Sequence, residues 1–484
     1  MDNWLQKRTQ LTPHRLALSF HEQTWTFQDL QQQVNGLCAT LQSRLAKPGR
    51  VAILGNNTPN LYFGILALHQ LGEPIVCLNK HLTTPELQYQ IEDAQVQTIL
   101  TTQKFLPQLQ NVANVKLIVL DQLEWQPQLN WSAQPTELDA LASIMYTSGT
   151  TGRPKGVCQS YRNHWTSAMG AELNLPVTES DCWICAVPLY HISGLSIVMR
   201  SLLYGMPVRL YEHFDPLAIN QDLVHGRGTI ISVVPYMLKK LLAEKHEPYD
   251  NHFSYMLLGG GVIDQATLDQ CDHHQIPVIQ SYGMTETSSQ VVALNPDDAQ
   301  RKLGAVGKPL FPVSLKIADT EQPNQVGEIL LKGDNLTPGY LNQPQRLAEK
   351  TTAAGWFRTG DLGYIDEEGF LYVKSRLTEL IISGGENIYP HEIEQLLNQL
   401  PCVQESAVVG KTDATWGSIP VAFLVTDQAW NLEEIHQFLT GKLAKYKFPK
   451  ELHLVDHLPK TANGKLQRVE LVRWLKKNHQ EPYR

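Results

Sequence analysis

The residues best suited to chemistry lie in Thr147-Ser148-Gly149-Thr150-Thr151-Gly152-Arg153-Pro154-Lys155-Gly156, which holds three glycines, four hydroxyls and one lysine. Glycine lets backbone N–H groups turn inward around an anion, and hydroxyls add donors without bulk. The lysine supplies a mobile point charge of the kind that binds phosphate. Such a stretch is suited to holding a polyphosphate. It is not a Walker loop, in which the lysine is followed by Ser or Thr, because Lys155 is followed by Gly156. Read alone, the same residues also fit an ordinary polar surface turn.

Further segments offer complementary chemistry. Leu257-Leu258-Gly259-Gly260-Gly261 ends an apolar run in glycines, where a flat ring approaches the backbone closely. Ser281-Tyr282-Gly283-Met284-Thr285-Glu286-Thr287 offers an aromatic face, hydroxyls and a carboxylate. Thr359-Gly360-Asp361-Leu362-Gly363 presents an aspartate in a turn, suited to accepting two ribose hydroxyls. Ser375-Arg376-Leu377-Thr378-Glu379 precedes Ile381 to Pro390, which contains Gly384 and Gly385. Pro459-Lys460-Thr461-Ala462-Asn463-Gly464-Lys465-Leu466-Gln467-Arg468 carries lysines around an Asn-Gly turn.

The elements that must position these groups alternate between strand and helix. Leu141 to Met145 reads as a buried strand opening into the glycine-rich stretch. Leu30, Val34, Leu37, Cys38 and Leu41 are spaced for one buried helical face. Val51–Leu54 and Ile75–Leu78 read as strands on either side of a helix over Asn60–Leu71, and the rhythm returns around Val208–Leu210, Ile230–Val233, Met256–Leu258 and Val278–Ile279. This alternation predicts parallel sheet with crossover helices. From about Leu303 the texture changes to short strands, Ser314–Ile317 and Glu328–Lys332, of a small barrel or sandwich. Beyond a boundary near Lys374–Glu379, helices over Pro390–Leu400 and Leu432–Leu443 alternate with strands Val403–Gly410 and Val421–Val425, predicting a compact α+β domain.

Composition removes several classes. The chain of 484 residues is 42% hydrophobic and 18% charged, enough to bury a large core. A formal net charge of −8 argues against a nucleic-acid or membrane-surface partner, so an anionic ligand needs local basic groups. Seven cysteines in this length do not make a disulfide framework. The start, Met1 to Lys7, lacks the regions of a signal peptide, and no apolar run has the length of a membrane span. A soluble cytoplasmic protein is expected. Cys182-Trp183-Ile184-Cys185 has redox-motif spacing but sits in an apolar strand and reads as buried structural thiols. Cys271-Asp272-His273-His274 reads as the exposed end of a helix.

In this order and combination the segments resemble the acyl-adenylate-forming superfamily, which includes acyl-CoA ligases, luciferases and peptide-synthetase adenylation domains. The resemblance runs from about Trp4 to Trp474. Within it, Val187-Pro188-Leu189-Tyr190-His191-Ile192-Ser193-Gly194-Leu195-Ser196, Leu257–Gly261, Gln280–Thr287 and Leu380–Pro390 are most similar to the o-succinylbenzoate–CoA ligases of naphthoquinone (menaquinone or phylloquinone) biosynthesis. The implied fold is α/β: a large N-terminal domain, 1–375, of two doubly wound sheets plus a small β-barrel, then a small mobile α+β domain, 376–484, hinged near 375–379. The implied substrates are a small carboxylic acid, ATP and CoA, with Mg²⁺ as cofactor; neither nucleic acid nor a membrane span is implied, and a homo-oligomer is left open.

The resemblance implies two steps. The carboxylate attacks the α-phosphate of ATP, giving acyl-AMP and pyrophosphate, and the CoA thiol then displaces AMP. By this likeness Thr147, Ser148, Gly149, Thr150, Thr151, Gly152 and Lys155 hold the β- and γ-phosphates, and Glu286 ligates Mg²⁺. Thr285 bonds the α-phosphate, Gly259, Gly260, Gly261, Tyr282 and Gly283 frame adenine, and Asp361 and Arg376 fix the ribose. Lys465 bridges the α-phosphate and the acid, although Lys460, Lys465 and Arg468 also fit a diffuse basic patch. The family usually has Asp or Lys at the hinge, two residues after the ribose arginine, where this chain has Thr378. Gly384 and Gly385 line the thiol channel, and Lys445 and Lys447 face CoA phosphates or simply form a solvated face. His191 forms a wall of the acyl pocket. A second substrate carboxylate requires a cation or several donors, for which Ser193, Arg200, Ser288 and Gln290 are candidates; Arg200 equally fits an exposed helix position. Two alternatives remain open at this stage, another aryl- or fatty-acyl-CoA ligase and a non-catalytic nucleotide-binding protein of the same fold.

Overall fold

A computed structural model describes residues 1–45, 48–147, 154–175, 177–178, 180–261, 263–383, 386–460 and 466–477. The chain divides into two compact units, one of Met1–Leu315 with Leu331–Phe357 and one of Lys316–Leu330 with Arg358–Arg484.

Two sheets organise the first unit. A nine-stranded sheet runs from Lys308–Pro309 through Ser289–Leu294, Val278–Met284, Tyr255–Leu258, Ile230–Val233, Trp183–Cys185, Val208–Leu210 and Leu16–Phe20 to Gln23–Thr26. Its central strands are parallel, and antiparallel pairs close both edges. A seven-stranded sheet runs from Gly339–Tyr340 through Lys155–Ser160, Leu141–Thr147, Ile75–Cys77, Val51–Leu54 and Thr98–Thr101 to Lys116–Val119. The parallel strands read as continuous apolar runs because helices cover both faces. Val51–Leu54 is buried at every residue, and so is the predicted helical stripe Leu30, Val34, Leu37, Cys38 and Leu41.

Local signals set the helices between them. Thr26 and Asp29 form a reciprocal capping box at the start of Phe27–Gln42. Helix Pro59–Leu71 begins with a Thr58 cap and ends where Gly72 adopts φ 74°, and helix Ile192–Tyr204 ends the same way at Gly205.

The second unit contains most of a four-stranded sheet, ordered Ser314–Ile317, Gly327–Lys332, Phe357–Ile365 and Leu371–Arg376. This sheet stands where the small barrel was expected. A further five-stranded sheet places Gly417–Thr426 between Val403–Asp413 and Glu451–Val455, with Ile381–Ser383 and Glu386–Ile388 alongside. Helix Pro390–Leu397 covers it. The helix predicted over Leu432–Leu443 stops at Leu439, because Thr440 turns extended at φ −62°, ψ 129° and Gly441 takes φ 80°. Cys271 is buried in the last turn of Gln265–His273, whereas Asp272, His273 and His274 are exposed, so only part of that cluster faces water. Among the described residues no helix is long and apolar enough to cross a membrane.

Candidate active site

Strands Leu141–Thr147 and Lys155–Ser160 pair antiparallel, and their last register pair is Thr147 with Lys155. The hairpin therefore closes directly onto the glycine-rich stretch. Ser148, Gly149, Thr150, Thr151 and Gly152 lie outside the described residues. Lys155 is only 7% exposed, and its ammonium lies 2.7 Å from Glu286 Oε1, although the two are 131 residues apart.

Glu286 belongs to the short turn Thr285–Thr287 that follows strand Val278–Met284. The turn is fixed on several sides. Thr287 Oγ1 accepts the Met284 N–H at 2.8 Å, Gln159 Nε2 donates to the Thr285 carbonyl at 2.9 Å, and the Thr337 N–H donates to the Glu286 carbonyl at 2.7 Å. The Tyr340 hydroxyl donates to Glu286 Oε1 at 3.1 Å. Burial opposes ionisation of Glu286, but the adjacent Lys155 charge and its hydrogen bond outweigh it, holding the carboxyl below its ordinary range. Burial, followed by the Glu286 charge, pushes the Tyr340 phenol well above its ordinary range, so it stays a donor.

An ionised, buried carboxylate is the donor that a hard cation requires. Among the described residues no group of three or more His, Cys, Asp and Glu could hold a metal ion. Magnesium fits such a site because it needs few protein ligands and completes its shell with phosphate and water oxygens. Thr285 is half-buried beside Glu286 in the same turn.

Strands Tyr255–Leu258 and Val278–Met284 run parallel and adjacent, with Leu258 opposite Gln280. The glycine turn therefore leaves its strand next to Tyr282, at the carboxyl ends where open α/β sheets bind ligands. Ser281 Oγ donates to the Leu258 carbonyl at 2.9 Å, and Gly260 takes φ 76°. A side chain on Gly283 would start 2.2 Å from the Ser289 carbonyl oxygen, so that position tolerates only glycine.

In the second unit Asp361 and Arg376 are cross-strand partners, with Arg376 Nε 3.1 Å from Asp361 Oδ1. Asp361 is buried, and Gly360 beside it takes φ 77°. Thr378 is exposed in the turn after Arg376. Lys445 is exposed, whereas Lys447 is paired 2.7 Å from Glu392 Oε2, a partner its proximity in sequence to Lys445 did not suggest. Gly384, Gly385 and Lys465 lie outside the described residues.

The acyl-side candidates separate. His191 stands at the N-cap position of helix Ile192–Tyr204, its ring tilted 53° to that of Tyr190 at 4.5 Å between ring centres. Asn57, which sequence reasoning passed over, clamps the run leading to it: its amide donates to the Val187 carbonyl at 2.9 Å and its carbonyl accepts the Leu189 N–H at 3.0 Å. Ser193 is exposed in the first helical turn. Arg200 is 1% exposed, which removes the surface reading. Its Nη2 donates to Gln290 Oε1 at 2.9 Å and to Ser289 Oγ at 3.2 Å, and the guanidinium lies 5.4 Å from the Trp183 ring centre. Gln290 Nε2 and Ser288 Oγ are buried with no hydrogen-bond partner among the described residues, and Ser288 holds a left-handed φ of 53°. Arg200 and Gln290 are therefore joined in one buried polar contact, Ser288 is buried two residues before Gln290 with its hydroxyl bonded to neither, and Ser193 is exposed. Cys185 is a buried free thiol on strand Trp183–Cys185, whereas Cys182, also a free thiol, precedes the strand and is half-buried rather than buried as expected; desolvation pushes both up to about 12.

The pattern of the AMP-binding enzymes matches residues 5–341, and that of the AMP-binding enzyme C-terminal domain matches 392–465. The chain is 50% identical to the 2-succinylbenzoate–CoA ligase of Enterococcus faecalis over 469 residues, 96% of each protein. It is 47% identical to the ligase of the same name from Listeria innocua, over 97% of this chain and 99% of that one. Among solved structures, it is similar to o-succinylbenzoate coenzyme A synthetase (MenE) from Bacillus subtilis in complex with ATP and magnesium ion, with a TM-score of 0.91 and 40% identity over 97% of this chain and 99% of the other. The same enzyme with its acyl-adenylate intermediate OSB-AMP gives a TM-score of 0.92 at 38% identity, over 100% of this chain and 99% of that one.

Proposed function

Because the chain belongs to the AMP-binding enzyme family, we propose that it is an ATP-dependent acid–thiol ligase whose acid is o-succinylbenzoate. In the first step the acid's carboxylate attacks the α-phosphate and pyrophosphate leaves; in the second the CoA sulfur attacks the acyl carbon and AMP leaves. Two anions must meet in the first step, so neutralising charge is the main task of the site. Thr147 and Lys155, with Ser148 to Gly152, hold the pyrophosphate side, and Thr285 bonds the α-phosphate. Glu286 would hold magnesium, which when bound neutralises phosphate charge. Gly259 to Gly261 with Tyr282 and Gly283 frame adenine, and Asp361 and Arg376 take the ribose.

Lys465 supplies the charge between the α-phosphate and the acid in the first step, while Gly384 and Gly385 admit the thiol in the second. Presenting each in turn requires the segment 376–484 to pivot near Thr378. Lys445 contacts CoA phosphate; Lys447 does so by leaving Glu392. We place the reaction in the cytoplasm, where ATP and CoA are supplied.

The observation that carries the choice of acid is Arg200. A buried guanidinium that donates to the neutral side chains of Gln290 and Ser289 is suited to a second carboxylate, which a fatty acid lacks. Ser288 and Gln290 add donors there, and His191 walls the pocket. The test is AMP release dependent on CoA across a panel of carboxylates. o-Succinylbenzoate should exceed benzoate and fatty acids by at least about a hundredfold in kcat/KM. A monocarboxylate that matches it would overturn the choice of acid, and no turnover with any acid would overturn the ligase reading.

A further inference from the structure

Glu286 stands in two relationships that compete, as the partner of Lys155 and as the carboxylate assigned to magnesium. The geometry shows what resolves the competition. The Lys155 and Tyr340 bonds converge on one oxygen, Oε1, at 2.7 and 3.1 Å. The other carboxylate oxygen takes no part in holding the lysine. Lys155 Nζ is also 3.4 Å from the Tyr340 hydroxyl and 4.4 Å from the centre of its ring. The Tyr340 hydroxyl therefore touches both charges, and the ring face adds a second contact to the lysine alone.

The backbone fixes that side chain in place. Tyr340 pairs with Val157 and Gly339 with Cys158 on the strand that begins with Lys155. The Leu341 N–H donates to the Gly156 carbonyl at 2.8 Å, and Thr337 bonds both the Glu286 and Cys158 carbonyls. Tyr340 is 4% exposed, so its ring presents a face to Lys155 in a water-poor setting, where cation–π attraction is strongest.

We propose that Tyr340 is a positioning residue for the adenylation step: its hydroxyl orients the Glu286 carboxylate toward the cation, and its ring retains Lys155 when that lysine turns from Glu286 to phosphate. This rests on the assignment of Glu286 and Lys155 to the magnesium–ATP site. It separates the tyrosine's two parts, and they can be removed one at a time.

The full-length Tyr340→Phe and Tyr340→Leu proteins are compared with the parent and with Glu286→Gln. ATP binding is measured calorimetrically with excess magnesium and with magnesium chelated, and thioester formation is measured from supplied acyl-adenylate and CoA. Tyr340→Phe should weaken ATP binding about tenfold with magnesium, less than about twofold without it, and leave thioester formation within about twofold. Tyr340→Leu should lose about a further fivefold in ATP binding under both conditions. Equal loss of ATP binding and of thioester formation in Tyr340→Phe, or no change in ATP binding, overturns the proposal. If Glu286→Gln leaves the magnesium dependence unchanged, the underlying assignment falls and the proposal with it. If Glu286→Gln changes it and Tyr340→Phe does not, the proposal alone falls.

Discussion

Arg200 and Arg468 are both withdrawn from water, and the protein surrounds them in opposite ways. Arg468 Nη2 donates to both oxygens of Glu394 at 2.7 Å, and Glu379 lies 3.4 Å from the same guanidinium. Glu394 is itself buried; burial opposes its charge, yet Arg468 chiefly holds its carboxyl below the ordinary range. Arg200, buried more deeply, donates to neutral acceptors on Gln290 and Ser289. One cation is neutralised by its own chain. The other keeps its charge among neutral partners inside the first unit, and under the proposed function the acid's second carboxylate supplies the counter-charge.

The largest effect should come from opening the closed pair. Arg468→Met strands a buried Glu394 and should cost about 3–5 kcal/mol of stability by denaturant titration, whereas Arg468→Met with Glu394→Leu should recover most of it. If the single variant unfolds at the parent midpoint, the two arginines do not differ as described.

Arg200→Leu should behave in the opposite sense. It removes an unneutralised buried charge, so the melting temperature should not fall, while kcat/KM for o-succinylbenzoate drops about a thousandfold, near 4 kcal/mol. An unchanged KM for that acid would end the proposed role of Arg200.

Acid sensitivity sharpens the contrast at smaller scale. Burial, and then the Arg200 charge, pull His164 down to about 4. Its stabilising contribution is complete above the unfolded value near 6.5 and is lost as pH falls toward 4, because the unfolded chain binds the proton first. The loss from this residue should be about 3 kcal/mol at most, read from melting temperatures between pH 7 and 4. In Arg200→Leu the decline should be shallower, and an identical slope would show that the Arg200 charge does not act on His164.

Much of this was legible in the chain itself. Apolar runs such as Val51–Leu54 and Ile230–Val233 become strands where they stand, because burial on both faces leaves no periodic ambiguity. Lys155, Glu286 and Asp361 stand out because glycines and hydroxyls surround them. Tyr340, Asn57 and Glu394 did not, since each acts on a partner far along the chain and carries no local pattern. Tyr340 meets Glu286 across 54 residues, and Asn57 meets Val187 across 130. Arg200 gave a usable signal that was left open: it follows Ile197, Val198 and Met199 and precedes Leu202, all buried, so little of that helix was available to face solvent.

The strand Gly339–Tyr340 has one more consequence, for solubility. It forms the outer edge of the seven-stranded sheet and is only two residues long. An edge that short, with Pro344 soon after it, gives little backbone for another molecule to pair with. It also covers part of the Lys155–Ser160 strand, whose N–H and C=O groups would otherwise offer a longer template. Exchanging the Tyr340 side chain keeps this cover, whereas deleting the dipeptide would uncover it and should increase self-association, read by light scattering.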